Sequence, residues 1–163
     1  MPTSVSSISH LKKLGWFIAT GAGTGLSPVA PGTIGSGAAL LIYLALPISS
    51  SSPFFLLLIL VGLISGVWAT GTLATPDNPD PSKVVWDEFI GLWITCLFLP
   101  KTWEWQILAF LMFRTFDILK PWPVKRLESL PKGWGIMFDD VLAGIYGMVC
   151  LNSTQILFLY LFD

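Results

Sequence analysis

The chain has 163 residues, 53% of them hydrophobic and only 12% charged, with a mean hydropathy of +0.72. Soluble domains carry about a quarter charged residues, so this composition points to an integral membrane protein. A net charge of −1 without blocks of like charge excludes both a basic field for nucleic acid and a polyelectrolyte tail.

The first segment, MPTSVSSISHLKKLGWF, lacks a sustained apolar core followed by a small-residue cleavage pattern. Residues 1–20 therefore read as a cytoplasmic or interfacial segment. The glycine-rich stretch TGAGTGLSPVAPGTIGSG (20–37) follows, without the GK[ST] ending of a P-loop and without a clear preceding strand. Its Thr33 and Ser36 could offer hydroxyls and free N–H groups to an anion, or its small residues could serve close helix packing.

Five apolar stretches come next: Gly32 to Leu46, Pro53 to Gly71, Val84 to Leu99, Trp103 to Leu119 and Trp134 to Leu161. A span needs about 20 residues, so the second, fourth and fifth are adequate and the first and third are short. The expected fold is all-α: one membrane-embedded helical bundle over 1–163, with about five apolar segments, some short or irregular. PISSSSP, TPDNPDPSK and KPWPVKRLESLPKG mark loops by their Pro, Ser, Asn and Asp content. Cys96 and Cys150 lie inside apolar runs without metal or redox spacing and read as packing residues.

Lys and Arg favour cytoplasmic loops. With the N-terminus inside, the inner segments hold Lys12, Lys13, Lys83, Lys120, Lys125, Arg126 and Lys132, and the outer loops hold only Lys101. Five spans then leave the C-terminus outside. The same topology gathers Asp87, Glu88, Arg114, Asp117, Asp139 and Asp140 near one leaflet. Snorkelling of helix-end side chains accounts for Lys12, Lys13, Lys125 and Arg126, but poorly for paired acids, which are short and face an anionic inner leaflet.

Two of these acid pairs share a pattern, WDEFIG (86–91) and FDDVLAG (138–144). Asp87 and Gly91 are four apart, as are Asp140 and Gly144, so each acid shares a helix face with a glycine that lets another helix approach. Asp87 and Asp140 are expected to face the bundle. Glu88 and Asp139, turned by about 100°, could reach a second ion or an outer partner. Five carboxylates, counting Asp117, against Arg114 and Lys120 leave three negative charges that protons or cations must balance. Hard oxygen ligands suit Mg²⁺; a proton relay in a transport path is the competing reading. Arg114 and Lys120 beside the acids favour a phosphate, which guanidinium grips bidentately and ammonium as a point charge. Pro121 should end their helix near Lys120. The single histidine, His10, lies far from the acids in sequence, which disfavours a histidine nucleophile and leaves metal-assisted attack by water.

APGTIGS (30–36), VVWDEFIG (84–91), FRTFDILKPWP (113–123) and GWGIMFDDVLAG (133–144), in order from about Gly21 to Gly147, together resemble phosphatidylglycerophosphatase A. The resemblance implies a Mg²⁺-dependent bacterial membrane enzyme that removes the terminal phosphate of phosphatidylglycerophosphate in phospholipid biosynthesis; with the topology above, it is expected to be a multi-pass inner-membrane protein with a cytoplasm-facing site. Its functional positions carry over as Thr33, Asp87, Glu88, Arg114, Asp117, Lys120, Asp139 and Asp140. The expected roles are metal binding by Asp87, Glu88, Asp139 and Asp140, and phosphate binding by Thr33, Arg114 and Lys120. Asp117 is expected to orient Arg114 or act as general base, so the five acids form the catalytic set. Only the headgroup has to reach the site, the acyl chains staying in the bilayer. One departure stands out: relatives often carry an acid late in the second apolar segment, and WATGTLATP has none before Asp77. Two alternatives remain, a different lipid phosphate as substrate and a small ion-coupled transporter.

Overall fold

The computed structural model describes residues 4–75, 78, 81–131 and 133–162. Asp77 and Lys132, which entered the sequence reading, lie outside them. Among the described residues there are seven helices, one 3₁₀ turn (Thr24–Leu26) and no strand. They are α1 (Ser4–Ala19), α2 (Pro31–Ala45), α3 (Pro53–Leu73), α4 (Trp86–Thr95), α5 (Trp103–Leu119), α6 (Val124–Leu127) and α7 (Gly133–Phe162).

Helix starts follow the local chemistry. Proline occupies the first position of α2 and α3, where its missing N–H costs nothing. Ser52 caps α3 by accepting from the Phe54 N–H at 3.3 Å. As expected, α5 stops before Pro121, with Lys120 as its cap in a left-handed conformation, φ 43° and ψ 59°.

Among the described residues, two helices are long and apolar enough to cross a membrane, α3 and residues Gly133–Leu161 of α7. α2 and α4 are short, as expected of the first and third stretches, whereas the fourth, expected to be an adequate span, forms the 17-residue α5, which falls short of that length. α4 has 10 residues, about 15 Å at 1.5 Å per residue, half of a hydrocarbon core of about 30 Å. Phe89 through Leu97 are all buried, so α4 is a short helix enclosed by its neighbours. The segment before residue 20 is helical from Ser4 and packs along α3.

Close backbone approach sets how the bundle is assembled. A Cβ on Gly144 would lie 2.3 Å from the Gly91 carbonyl oxygen, and one on Gly91 would lie 2.7 Å from that of Asp140. The Thr95 hydroxyl bridges the same crossing, contacting the Gly91 and Gly144 carbonyls at 3.0 and 3.2 Å. α4 and α7 therefore run side by side in the same direction, each meeting the other on the face where its acid and glycine lie four apart. α2 lies parallel to α4 on its other flank, where the Trp93 indole donates to the Ala39 carbonyl at 2.9 Å. α5 runs the opposite way, with Phe113 against Gly91. The starts of α2, α4 and α7 and the end of α5 thus meet at one end of the bundle.

Candidate active site

At that end lies a cavity of about 330 Å³. Its lining includes Thr33, Asp87, Glu88, Arg114, Asp117, Lys120, Asp139 and Asp140, all eight positions singled out from sequence. Asp87 and Glu88 sit in the first turn of α4, where a helix N-terminus favours negative charge. Asp139 and Asp140 sit in the second turn of α7, facing the same space across the Gly91–Gly144 crossing. Asp87, Asp139 and Asp140 are buried, whereas Thr33 is exposed at the cavity's edge.

Carboxylate oxygens of Asp87, Glu88 and Asp140 lie within 4.8 Å of one another. Burying three acids at that spacing is costly unless a cation or protons offset them. Glu88 Oε2 is buried without a hydrogen-bond partner, an acceptor left for something other than the protein. An all-oxygen, acidic donor set of this kind is compatible with a divalent cation.

Asp139 is arranged differently. Its Oδ2 accepts from Lys120 Nζ at 2.7 Å and its Oδ1 accepts from the Asp140 backbone N–H at 3.0 Å. The three-acid cluster does not include it. Lys120 Nζ also donates to Glu128 Oε1 at 2.6 Å, so two carboxylates from different elements hold one ammonium. Burial alone would pull this ammonium's pKa down, but the hydrogen bonds and charges of Asp139 and Glu128 hold it well above the ordinary lysine value. Lys120 is therefore a lasting positive charge on the cavity wall.

The second cation is gripped as firmly. Arg114 Nη1 lies 2.6 Å from Asp117 Oδ2 and 3.7 Å from Glu88 Oε1. It also reaches Ser36 Oγ at 3.5 Å. Its Nε is buried with no partner, so the guanidinium keeps a donor in reserve. Gly32 makes room for this arrangement: a Cβ there would lie 2.2 Å from Glu88 Oε1 and 3.1 Å from Arg114 Nη1.

Backbone strain collects at the same place. Ala30 (φ 45°, ψ 58°) and Lys120 (φ 43°, ψ 59°) are both left-handed, both precede a proline and both line the cavity. Such residues cost of order 1–3 kcal/mol each and persist where surrounding structure holds them. Sequence reasoning missed Glu128, because it lies beyond the α5 periodicity in a proline-bounded segment. It also missed Ser82 and Ile118, which line the cavity together with Ala30, Pro31, Gly32 and Val84; Ile118 carried a usable signal, standing four residues after Arg114 on the same helix face.

A family model described as Phosphatidylglycerophosphatase A matches residues 17–155. The chain is 38% identical over 131 residues to phosphatidylglycerophosphatase A of Escherichia coli K12, covering 78% of this chain and 76% of that protein. It is 38% identical over 141 residues to phosphatidylglycerophosphatase A of Haemophilus influenzae, covering 85% and 86%. A Bacteroides thetaiotaomicron protein, provisionally named phosphatidylinositol-3-phosphatase, is 40% identical over 145 residues, covering 85% and 91%. No solved structure matches the chain. With the match spanning the whole cavity, from Ala30 to Asp140, the chain belongs to the phosphatidylglycerophosphatase A family, lipid phosphatases that hydrolyse phosphoric monoesters.

Proposed function

We propose that the protein removes the terminal phosphate of phosphatidylglycerophosphate to give phosphatidylglycerol, using Mg²⁺, in phospholipid biosynthesis. One observation carries the reading: three clustered acids face two anchored cations across a single cavity in a chain of this family. Asp87, Glu88 and Asp140 would hold the metal, which when bound supplies Lewis-acid polarisation of the phosphoryl group and acidifies a water. Arg114 offers its unpartnered Nε, and Lys120 its ammonium, to phosphoryl oxygens as negative charge redistributes in the transition state. Asp117, on Arg114, orients the guanidinium. Asp139 keeps Lys120 turned to the cavity. Water then attacks phosphorus, the phosphorus–oxygen ester bond breaks, and the alcohol leaves with a proton.

The exposed apolar faces support a multi-pass protein of the bacterial inner membrane. Leu57, Leu60, Val61 and Ile64 of α3 and Ile156, Leu157 and Leu159 of α7 all face outward, more apolar surface than soluble monomers leave uncovered. The Lys and Arg distribution supports a cytoplasm-facing cavity. A reporter fused after Asp163 should signal from outside the cytoplasm.

The test of function is phosphate release from a panel of lipid phosphates, with and without Mg²⁺. Turnover of phosphatidylglycerophosphate that requires Mg²⁺, and falls on the order of 10³-fold in Asp140→Asn, is the expected result. Full activity in Asp140→Asn would sink the site assignment. The Bacteroides relative's name makes a phosphoinositide phosphate the second substrate to try. No turnover on any lipid phosphate would revive ion-coupled transport.

A further inference from the structure

The walls of the cavity are unevenly covered. Its acids lie deep, whereas its exposed lining residues are Ala30, Thr33, Ser82 and Ile118. Three of these four stand at the start of α2 and the end of α5. Ile118 shares a helix face with Arg114 and Asp117, the face turned toward α2 and α4, where an apolar side chain is ordinarily covered. It is nevertheless 69% exposed.

One turn deeper the two helices are closed together. Arg114 reaches Ser36 at 3.5 Å there. At the rim, Thr33 on α2 and Ile118 on α5 both line the cavity and are both exposed. The outer rim is apolar: Ile34 flanks it on α2, Leu119 (71% exposed) on α5, and Trp122 (74% exposed) just beyond. A water-soluble phosphate would need no such rim. A lipid phosphate needs both a charged pocket for its headgroup and a greasy sill for its acyl-glycerol portion.

We infer that the gap between Thr33 and Ile118 is a lateral mouth through which the lipid reaches the cavity, its acyl-glycerol portion lying across Ile118 while its phosphate meets Arg114 and Lys120. This rests on the lipid-phosphatase reading and adds the side from which substrate arrives. The loop side, at Ser82, is then the aqueous opening, suited to water and released phosphate.

The experiment compares Ile118→Asp, Ile118→Trp and the unaltered protein on diacyl phosphatidylglycerophosphate in mixed micelles and on its deacylated, water-soluble counterpart. Both variants should raise KM for the diacyl lipid about tenfold while leaving kcat/KM for the deacylated compound within about twofold. Equal losses on both substrates, or none on the lipid, would overturn the mouth. A second measurement covers an unaltered enzyme that ignores the deacylated compound: Ile118→p-benzoylphenylalanine should photocrosslink to the diacyl lipid, and no capture at 118 counts against the proposal. An unaltered protein that hydrolyses neither substrate would instead refute the phosphatase reading itself.

Discussion

Each end of the bundle holds a lysine, and the two are used in opposite ways. At the end away from the cavity, Lys101 Nζ donates to the carbonyls of Leu46 and Ile48, just past α2, and lies 4.6 Å from the centroid of the Tyr43 ring. Its donors go to acceptors that belong to the fold, in the manner of a basic cap on a helix C-terminus. At the cavity end, Lys120 and Arg114 meet carboxylates, and the acids outnumber them. Glu88 Oε2 and Arg114 Nε are left over. The lesson is that a cation whose partners are all fold groups stabilises, whereas cations among surplus acids and idle donors are poised for a ligand.

Substitutions at the two ends should separate accordingly. Arg114→Lys keeps the charge but loses the fork, and should lower kcat/KM on the order of 100-fold with little change in thermal unfolding in detergent. A matching loss of stability would make Arg114 a second structural cation and erase the contrast. Gly144→Ala tests the frame between the ends: forcing a Cβ toward the Gly91 carbonyl should destabilise by about 1–3 kcal/mol and lower activity by parting Asp87 from Asp140. Unchanged unfolding would show that the crossing is looser than its contacts indicate.

Lys101→Met should give the reverse of Arg114→Lys, a stability loss of about 1 kcal/mol with kcat/KM retained. The smallest effect belongs to Glu128→Gln. An exposed ion pair is worth about 0.2–1 kcal/mol, so steady-state kinetics should show a loss of only a few-fold, with Glu128→Asp restoring most of it. Larger damage there would move Glu128 into the machinery that presents Lys120.

How much of this was legible in the chain can be judged residue by residue. Helical spacing alone put Asp87 on a face with Gly91 and Asp140 on a face with Gly144, and those faces meet. Loop composition and the proline at 121 marked where α5 ends. By contrast, Val84 to Leu99 read as one apolar stretch, yet only Trp86–Thr95 is helical. Residues 96–99 are as apolar as the helix before them, and hydrophobicity does not distinguish a buried turn from a buried helix.

By itself, then, the sequence determined an all-helical apolar chain, the eight polar and charged residues that meet at one cavity and the chemistry they suit, because those follow from composition, helical period and side-chain type. Only the tertiary structure decided that Asp139 turns to Lys120 while Asp87, Glu88 and Asp140 cluster, that Glu128 pairs with Lys120, and that Ile118 stands uncovered. Those outcomes depend on which side chains from distant segments arrive within about 3–5 Å of one another, and no local pattern carries that information.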